Sequence, residues 1–180
     1  MITDVSASHG LIGMMLLKGD WEADYYADPD TYDIGCAGQI SQLVKLPDGR
    51  YNLVLTGLSE FRVVRESRER SYRQAEVQWS PVDPPMDIDA EAMEGLRQLL
   101  FEYLGDTAGG AWKSLVERGL RGADLVNFLC FHLDVPVIEK QTLLEARGAR
   151  LDCLFDVLTF KLEERKLGGP GPHGGSGNVQ

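Results

Sequence analysis

The chain of 180 residues is 43% hydrophobic and 26% charged, enough apolar material to bury a core as one domain, or as a β part and a helical part, without disulfide staples. Asp and Glu number 28 against 18 Lys and Arg, and the resulting formal charge of −10 repels phosphate backbones and anionic lipid surfaces. No apolar run approaches the roughly 20 residues that cross a bilayer, so neither nucleic acid nor a membrane is the expected partner.

The amino terminus, Met1-Ile2-Thr3-Asp4, lacks a basic-then-apolar leader, and Cys36, Cys130 and Cys153 are odd in number and widely spaced. Both features point to a reducing cytoplasm. Leu11 to Leu17 is nearly all apolar and bounded by Gly10 and Lys18-Gly19-Asp20, the pattern of a strand covered on both faces. Trp21 to Asp30 mixes aromatics, acids and a proline without period and reads as a long loop.

A β ribbon follows. Ile40, Gln42, Val44 and Leu46 alternate with Ser41, Leu43 and Lys45, and Tyr51, Leu53 and Leu55 alternate with Asn52, Val54 and Thr56. Between the runs, Pro47-Asp48-Gly49 supplies a preset turn residue and a glycine able to take the left-handed backbone that closes a hairpin. Apolar residues on both faces predict a closed barrel. Gly57 is placed for a bulge or corner, Phe61 to Val64 resumes the pattern, and Arg73, Ala75, Val77 and Trp79 mark one more strand. Arg62 to Arg70 is the one basic stretch, but acids interrupt it, as on a solvated strand end and loop.

After Pro81-Val82-Asp83-Pro84-Pro85 the period changes from 2 to 3.6. Asp89 is the expected N-cap of a helix whose apolar face runs Ala92, Met93, Leu96, Leu99, Leu100, Tyr103 and Leu104, with Gly105 as its stop. A short helix is expected around Trp112, Leu115 and Val116, then a central helix capped by Asp124 over 125–133. Another runs from Ile138 to about Ala146, and a last one carries Leu151, Leu154, Phe155, Leu158 and Leu162. Gly168 to Gln180 is too rich in Gly, Pro and polar residues to fold.

Ile34-Gly35-Cys36-Ala37-Gly38-Gln39-Ile40, then Leu46-Pro47-Asp48-Gly49-Arg50-Tyr51-Asn52, then Leu55-Thr56-Gly57-Leu58-Ser59-Glu60-Phe61-Arg62, resembles the amino-terminal, substrate-binding domain of the Lon ATP-dependent protease. Lys140-Gln141-Thr142-Leu143-Leu144-Glu145 followed by Arg150-Leu151 is similar to that module's helical part. The resemblance covers residues 9 to 165, and Trp21-Glu22-Ala23-Asp24-Tyr25 looks like the free-standing bacterial versions. It implies an α+β fold: a PUA-like β barrel over 1–83, a small helical bundle over 84–166 and a disordered tail over 167–180. Family domains usually open with a Pro-Leu-Phe-Pro-type strand and a Phe-Glu-Pro-Arg-Tyr segment. This chain begins after that point, so one or two barrel strands are expected to be absent and an edge near Leu11 to Leu17 unpaired.

No phosphate loop is present, and the chain is too short for ATPase and protease domains. Ser6, Ser8 and His9 lack a nucleophile-elbow context. Cys130 and His132 diverge on a helix, the pairs Asp28/Asp30 and Asp87/Asp89 suit turns and caps, and no cofactor or metal is implied. What remains is recognition by surface. Trp21, Tyr25, Tyr26 and Tyr32 are the candidate peptide-binding residues, although covering a barrel end is the commoner use of such aromatics. The expected function is a non-enzymatic module that binds unfolded or extended protein segments, with a homodimer through an exposed strand edge as a second association. The alternative is RNA binding, by analogy with other PUA-like barrels.

Overall fold

The structure is a computed structural model that describes residues 1–19, 21–22, 28–81, 87–105 and 108–167. The chain forms two compact units, Met1–Val82 and Asp83–Gln180.

In the first unit a short helix, α1 (Ile2–Ser6), precedes four strands: β1 (Leu11–Met14), β2 (Ile34–Lys45), β3 (Tyr51–Ser67) and β4 (Gln74–Trp79). They form one antiparallel sheet in the order β1-β2-β3-β4. The sheet is not closed: among the described residues β1 pairs only with β2, and β4 only with β3. The expected barrel is therefore an open sheet, because closure needs a pairing between its two ends that alternation along single strands cannot specify.

Strand β1 is also shorter than the apolar run that announced it. It ends at Met14, whose side chain is 59% exposed, and Leu17 only bridges to Thr31. The Leu11 to Leu17 run is thus not a strand covered on both faces.

The β2–β3 turn follows its sequence closely. Gly49 adopts φ 86° and donates its N–H to the Leu46 carbonyl at 3.0 Å, as a left-handed closing residue should. Further along, Ala37 pairs with Ser59 but Gly38 pairs with Gly57, leaving Leu58 as the extra residue of a bulge. The irregularity anticipated at Gly57 falls there without ending the strand.

The second unit contains α2 (Ala90–Leu104), α3 (Ala108–Glu117), α4 (Gly122–His132), α5 (Val137–Ala146) and α6 (Arg150–Lys166). The Asp89 side chain accepts from the Ala92 N–H at 2.7 Å, and Gly105 ends α2 at φ 60°. Helix α4 starts earlier than anticipated, at Gly122, so Asp124 lies in its first turn and is not the cap. Leu96, Leu100, Val126, Leu143, Leu154 and Leu158 centre its core. The sheet unit is far less endowed: among the described residues its buried apolar side chains are Val5, Ile34, Ala37 and Phe61. The expected tail at 168–180 lies outside the described residues.

Among the described residues no helix is long and apolar enough to cross a membrane.

Candidate functional site

The two ends of the sheet border one cleft. The Gly10 carbonyl accepts from the Ile40 N–H at 2.8 Å. Backbone bonds alternate sides along an antiparallel strand, so Ile12 and Met14 face β2, and Leu11 and Gly13 turn their backbone groups outward. On the far side, the Ser80 N–H donates to the Glu60 carbonyl at 3.0 Å. By the same alternation Gln78 faces β3, and Val77 and Trp79 face outward. Leu11, Gly13, Val77 and Trp79 all line a cleft of about 940 Å³, together with Val5 and Phe61.

Phe61 makes the floor. Its side chain is buried and meets Trp79 edge to face, with ring centroids 6.3 Å apart and planes at 78°. Small residues make room for it: a Cβ at Gly13 would come within 2.9 Å of the Phe61 Cζ, and one at Gly35 would run into Met15 and the Met14 carbonyl. Packing thus accounts for Gly35 of the Gly35-Cys36-Ala37-Gly38 stretch, and for Gly38, where a Cβ would come within 2.9 Å of the Leu55 Cβ. Trp79 itself stays 47% exposed.

Ion pairs lie along the polar part of the lining. Asp28 pairs with Arg68 at 2.5 Å and with Arg73, which also pairs with Glu66 at 3.7 Å. Asp4 accepts from Arg70 at 3.3 Å and from the Tyr72 hydroxyl at 3.1 Å. Burial, reinforced by that carboxylate, raises the Tyr72 phenol pKa. Arg62 and Arg65 are likewise near carboxylates, Asp33 at 3.9 Å and Glu76 at 3.5 Å. The basic stretch is therefore interleaved with partners from elsewhere in the unit, and it presents mixed charge in place of a cationic stripe.

The aromatic residues singled out in the sequence stand elsewhere. Trp21 is exposed on a turn with Glu22. Tyr32 is half-buried, donates its backbone N–H to the Leu16 carbonyl at 2.9 Å and lies under the Lys18 ammonium, 5.4 Å from the ring centroid. Neither lines the cleft; Tyr25 and Tyr26 lie outside the described residues. Trp79 and Phe61 are the aromatics that the sequence reading passed over. The signal for Trp79 was its place at the end of the Arg73, Ala75, Val77, Trp79 alternation, which put it on the face of the sheet it occupies.

The groups weighed for chemistry have structural occupations. The Ser8 hydroxyl donates to the Asp4 and Val5 carbonyls at 2.9 and 3.2 Å, and His9 Nδ1 accepts from the Leu11 N–H at 3.0 Å. Burial pushes the Cys130 thiol up to about 11, and burial followed by Asp156 raises that of Cys153. All three cysteines are free thiols. Among the described residues no three His, Cys, Asp or Glu are grouped to hold a metal.

Residues 1–159 match the family described as the ATP-dependent protease La (LON) substrate-binding domain. The Lon protease of Anaeromyxobacter dehalogenans is 28% identical over 177 residues, and Lon protease 2 of Myxococcus xanthus is 29% identical over 174. Each alignment takes in 93% of this chain but only 20% and 21% of those proteins, so the chain spans about a fifth of the length of these relatives. A crystal structure of a Lon N-terminal domain protein from Xanthomonas campestris shares the fold, with a TM-score of 0.57 at 20% identity over 94% of this chain and 82% of that one. The N-terminal domain of Mycobacterium avium complex Lon protease gives 0.53 at 15% identity over 82% and 90%. The glycine-lined ribbon, the sheet it builds and the helical unit after it thus have one source: the chain belongs to the Lon substrate-binding domain family.

Proposed function

We propose that this chain is a non-enzymatic binding module for unfolded or extended protein segments, acting in the cytoplasm. The observation that carries the reading is the cleft, where two strand edges without a partner strand among the described residues border one apolar floor. An extended peptide entering it gains backbone bonds from the Leu11 carbonyl and from Gly13, or from Val77 and Trp79, while its alternate side chains meet Phe61 and the exposed Trp79 ring; the Leu11 N–H is already held by His9 Nδ1. The family's description as substrate-binding supports the same class of ligand. Trp21 and Tyr32 extend the contact surface in this proposal, each on the segment preceding β2.

The test is an NMR titration with peptides of alternating apolar sequence. Saturable shifts are expected at the Gly13, Val77 and Trp79 amides, and Trp79→Ala should weaken binding several-fold. Peptides that bind without moving those amides, or that leave every amide unmoved, would overturn the proposal.

A further inference from the structure

Beyond the reach of β4, the β2–β3 hairpin runs on as a two-stranded ribbon. Strand β4 pairs with β3 only from Phe61 to Ser67, so among the described residues nothing pairs with the outer edge of β3 from Tyr51 to Ser59. Which groups this edge offers follows from the hairpin's own bonding. The Leu46 N–H donates to the Arg50 carbonyl at 2.8 Å, and alternation then gives Asn52 and Val54 to β2 and turns the backbone groups of Tyr51 and Leu53 outward. Ile40 bonds toward Gly10, so its opposite residue, Leu55, also faces outward.

Two properties set this edge apart. Exposed edges are commonly guarded by charge, proline, brevity or a bulge; Tyr51 to Ser59 contains no charged residue and no proline, its own bulge at Leu58 lies beyond Leu55, and the second irregularity, at Ser41, is on β2. Val54 and Leu58 are also half exposed on it, at 50% and 53%. An uncharged edge on a protein with a net charge of −10 is the strip along which two copies can approach with least repulsion.

The sequence of the strip is complementary to itself. Turned antiparallel about Leu53, it sets Leu53 against Leu53, Tyr51 against Leu55, and Asn52 against Val54 of the second copy. Only the outward backbone groups of Tyr51, Leu53 and Leu55 are used, and the bonds within each hairpin stay intact. The Tyr51, Leu53 and Leu55 side chains of both copies share one face. We propose that β3 pairs with β3 of a second copy in this register, giving a two-fold symmetric dimer through a continuous sheet. The reading is independent of peptide binding in the cleft, which uses other edges.

Sedimentation measurements on the full chain across concentration and salt test it. The average mass should rise toward twice the monomer value as concentration rises. It should do so more readily at high salt, because screening relieves the repulsion between two acidic copies. The register is tested by two double variants. Asn52→Lys with Val54→Glu sets opposite charges against each other across the interface, whereas Asn52→Glu with Val54→Glu sets like charges. The first should dimerise about tenfold more tightly than the second, since two cross-strand pairs change sign.

Hydrogen exchange on the unaltered chain gives a check free of substitutions. Protection of the Tyr51, Leu53 and Leu55 amides should grow with concentration, while Asn52 and Val54, bonded within the hairpin, stay constant. A mass that remains monomeric, identical behaviour of the two variants, or protection independent of concentration would each overturn the proposal.

Discussion

Arg150 is an arginine with 7% of its surface exposed at the start of α6, and replacing it should cost the helical unit more than any surface change. Its Nε donates to the Leu143 carbonyl at 2.8 Å, Nη2 to the Leu144 carbonyl at 3.0 Å, and Nη1 to Asn127 Oδ1 at 2.6 Å. Leu143 and Leu144 lie in the last turn of α5, whose terminal carbonyls have no partner within the helix. The chain leaves α5 through Arg147 at φ 44°, which takes the following backbone away from them. The Arg150 guanidinium therefore acts as a cap supplied by the next helix, and its charge also suits the negative end of the α5 dipole.

Arg150→Leu keeps the aliphatic stem but abandons the buried Leu143 carbonyl and the partly buried Leu144 carbonyl, while the amide oxygen of the exposed Asn127 can turn to water. At about 1–3 kcal/mol for each of the two unsatisfied carbonyls, partly relieved by relaxation, the loss should be about 2–4 kcal/mol. Arg150→Lys restores the charge but not the planar fork, so about half of that loss should remain. Urea unfolding followed by far-ultraviolet circular dichroism measures both. A second readout is the Cys130 thiol, whose pKa Arg150 holds down against burial; Arg150→Leu should make Cys130 still slower to alkylate. A leucine variant within about 1 kcal/mol of the parent would refute the capping argument.

Gly35→Ala should destabilise the sheet unit by about 1–3 kcal/mol, read as a lower urea midpoint, because the new methyl meets the Met14 carbonyl and the Met15 sulfur in a filled site. Asp89→Ala removes the side chain that receives the Ala92 N–H and should cost about 1 kcal/mol of stability in the same assay. Cys130 should make the helical unit sensitive to alkali. Its pKa is raised from 9.0 to about 11, so between those values the folded state holds a proton that the unfolded state releases, and stability falls as pH rises. Cys130→Ala should flatten that decline in urea midpoints taken from pH 8 to 11.

Much of this fold is legible where a single residue type answers a local backbone need. Asp89 and Gly105 bracket α2, Pro47 to Gly49 closes the hairpin, and Leu154, Leu158 and Leu162 bury one stripe of α6. What the sequence conceals is decided across space. Leu11 to Leu17 looks like a fully covered strand, but how many partners it has depends on chain far from it, and Met14 ends up exposed. Arg150 looks like a surface arginine until the turn at Arg147 brings it beneath the end of α5. Asp124 has the chemistry of a cap, yet the helix begins two residues before it. At the cleft, Phe61 and Trp79 carry no mark beyond their place in an alternating pattern. The aromatic cluster around Trp21 draws attention by composition, which says nothing of distance.

The unequal cores have a kinetic consequence. Few apolar side chains are buried in the sheet unit, whereas a connected set of leucines fills the helical one. Heating should therefore melt the molecule in two stages, with the sheet unit first and the helices persisting as a folded remnant. Amides of β1 and β4 should exchange with solvent long before those of α6. The half of the molecule with open strand edges would then be the half that breathes, its margins adjustable while the helices keep the rest of the chain folded.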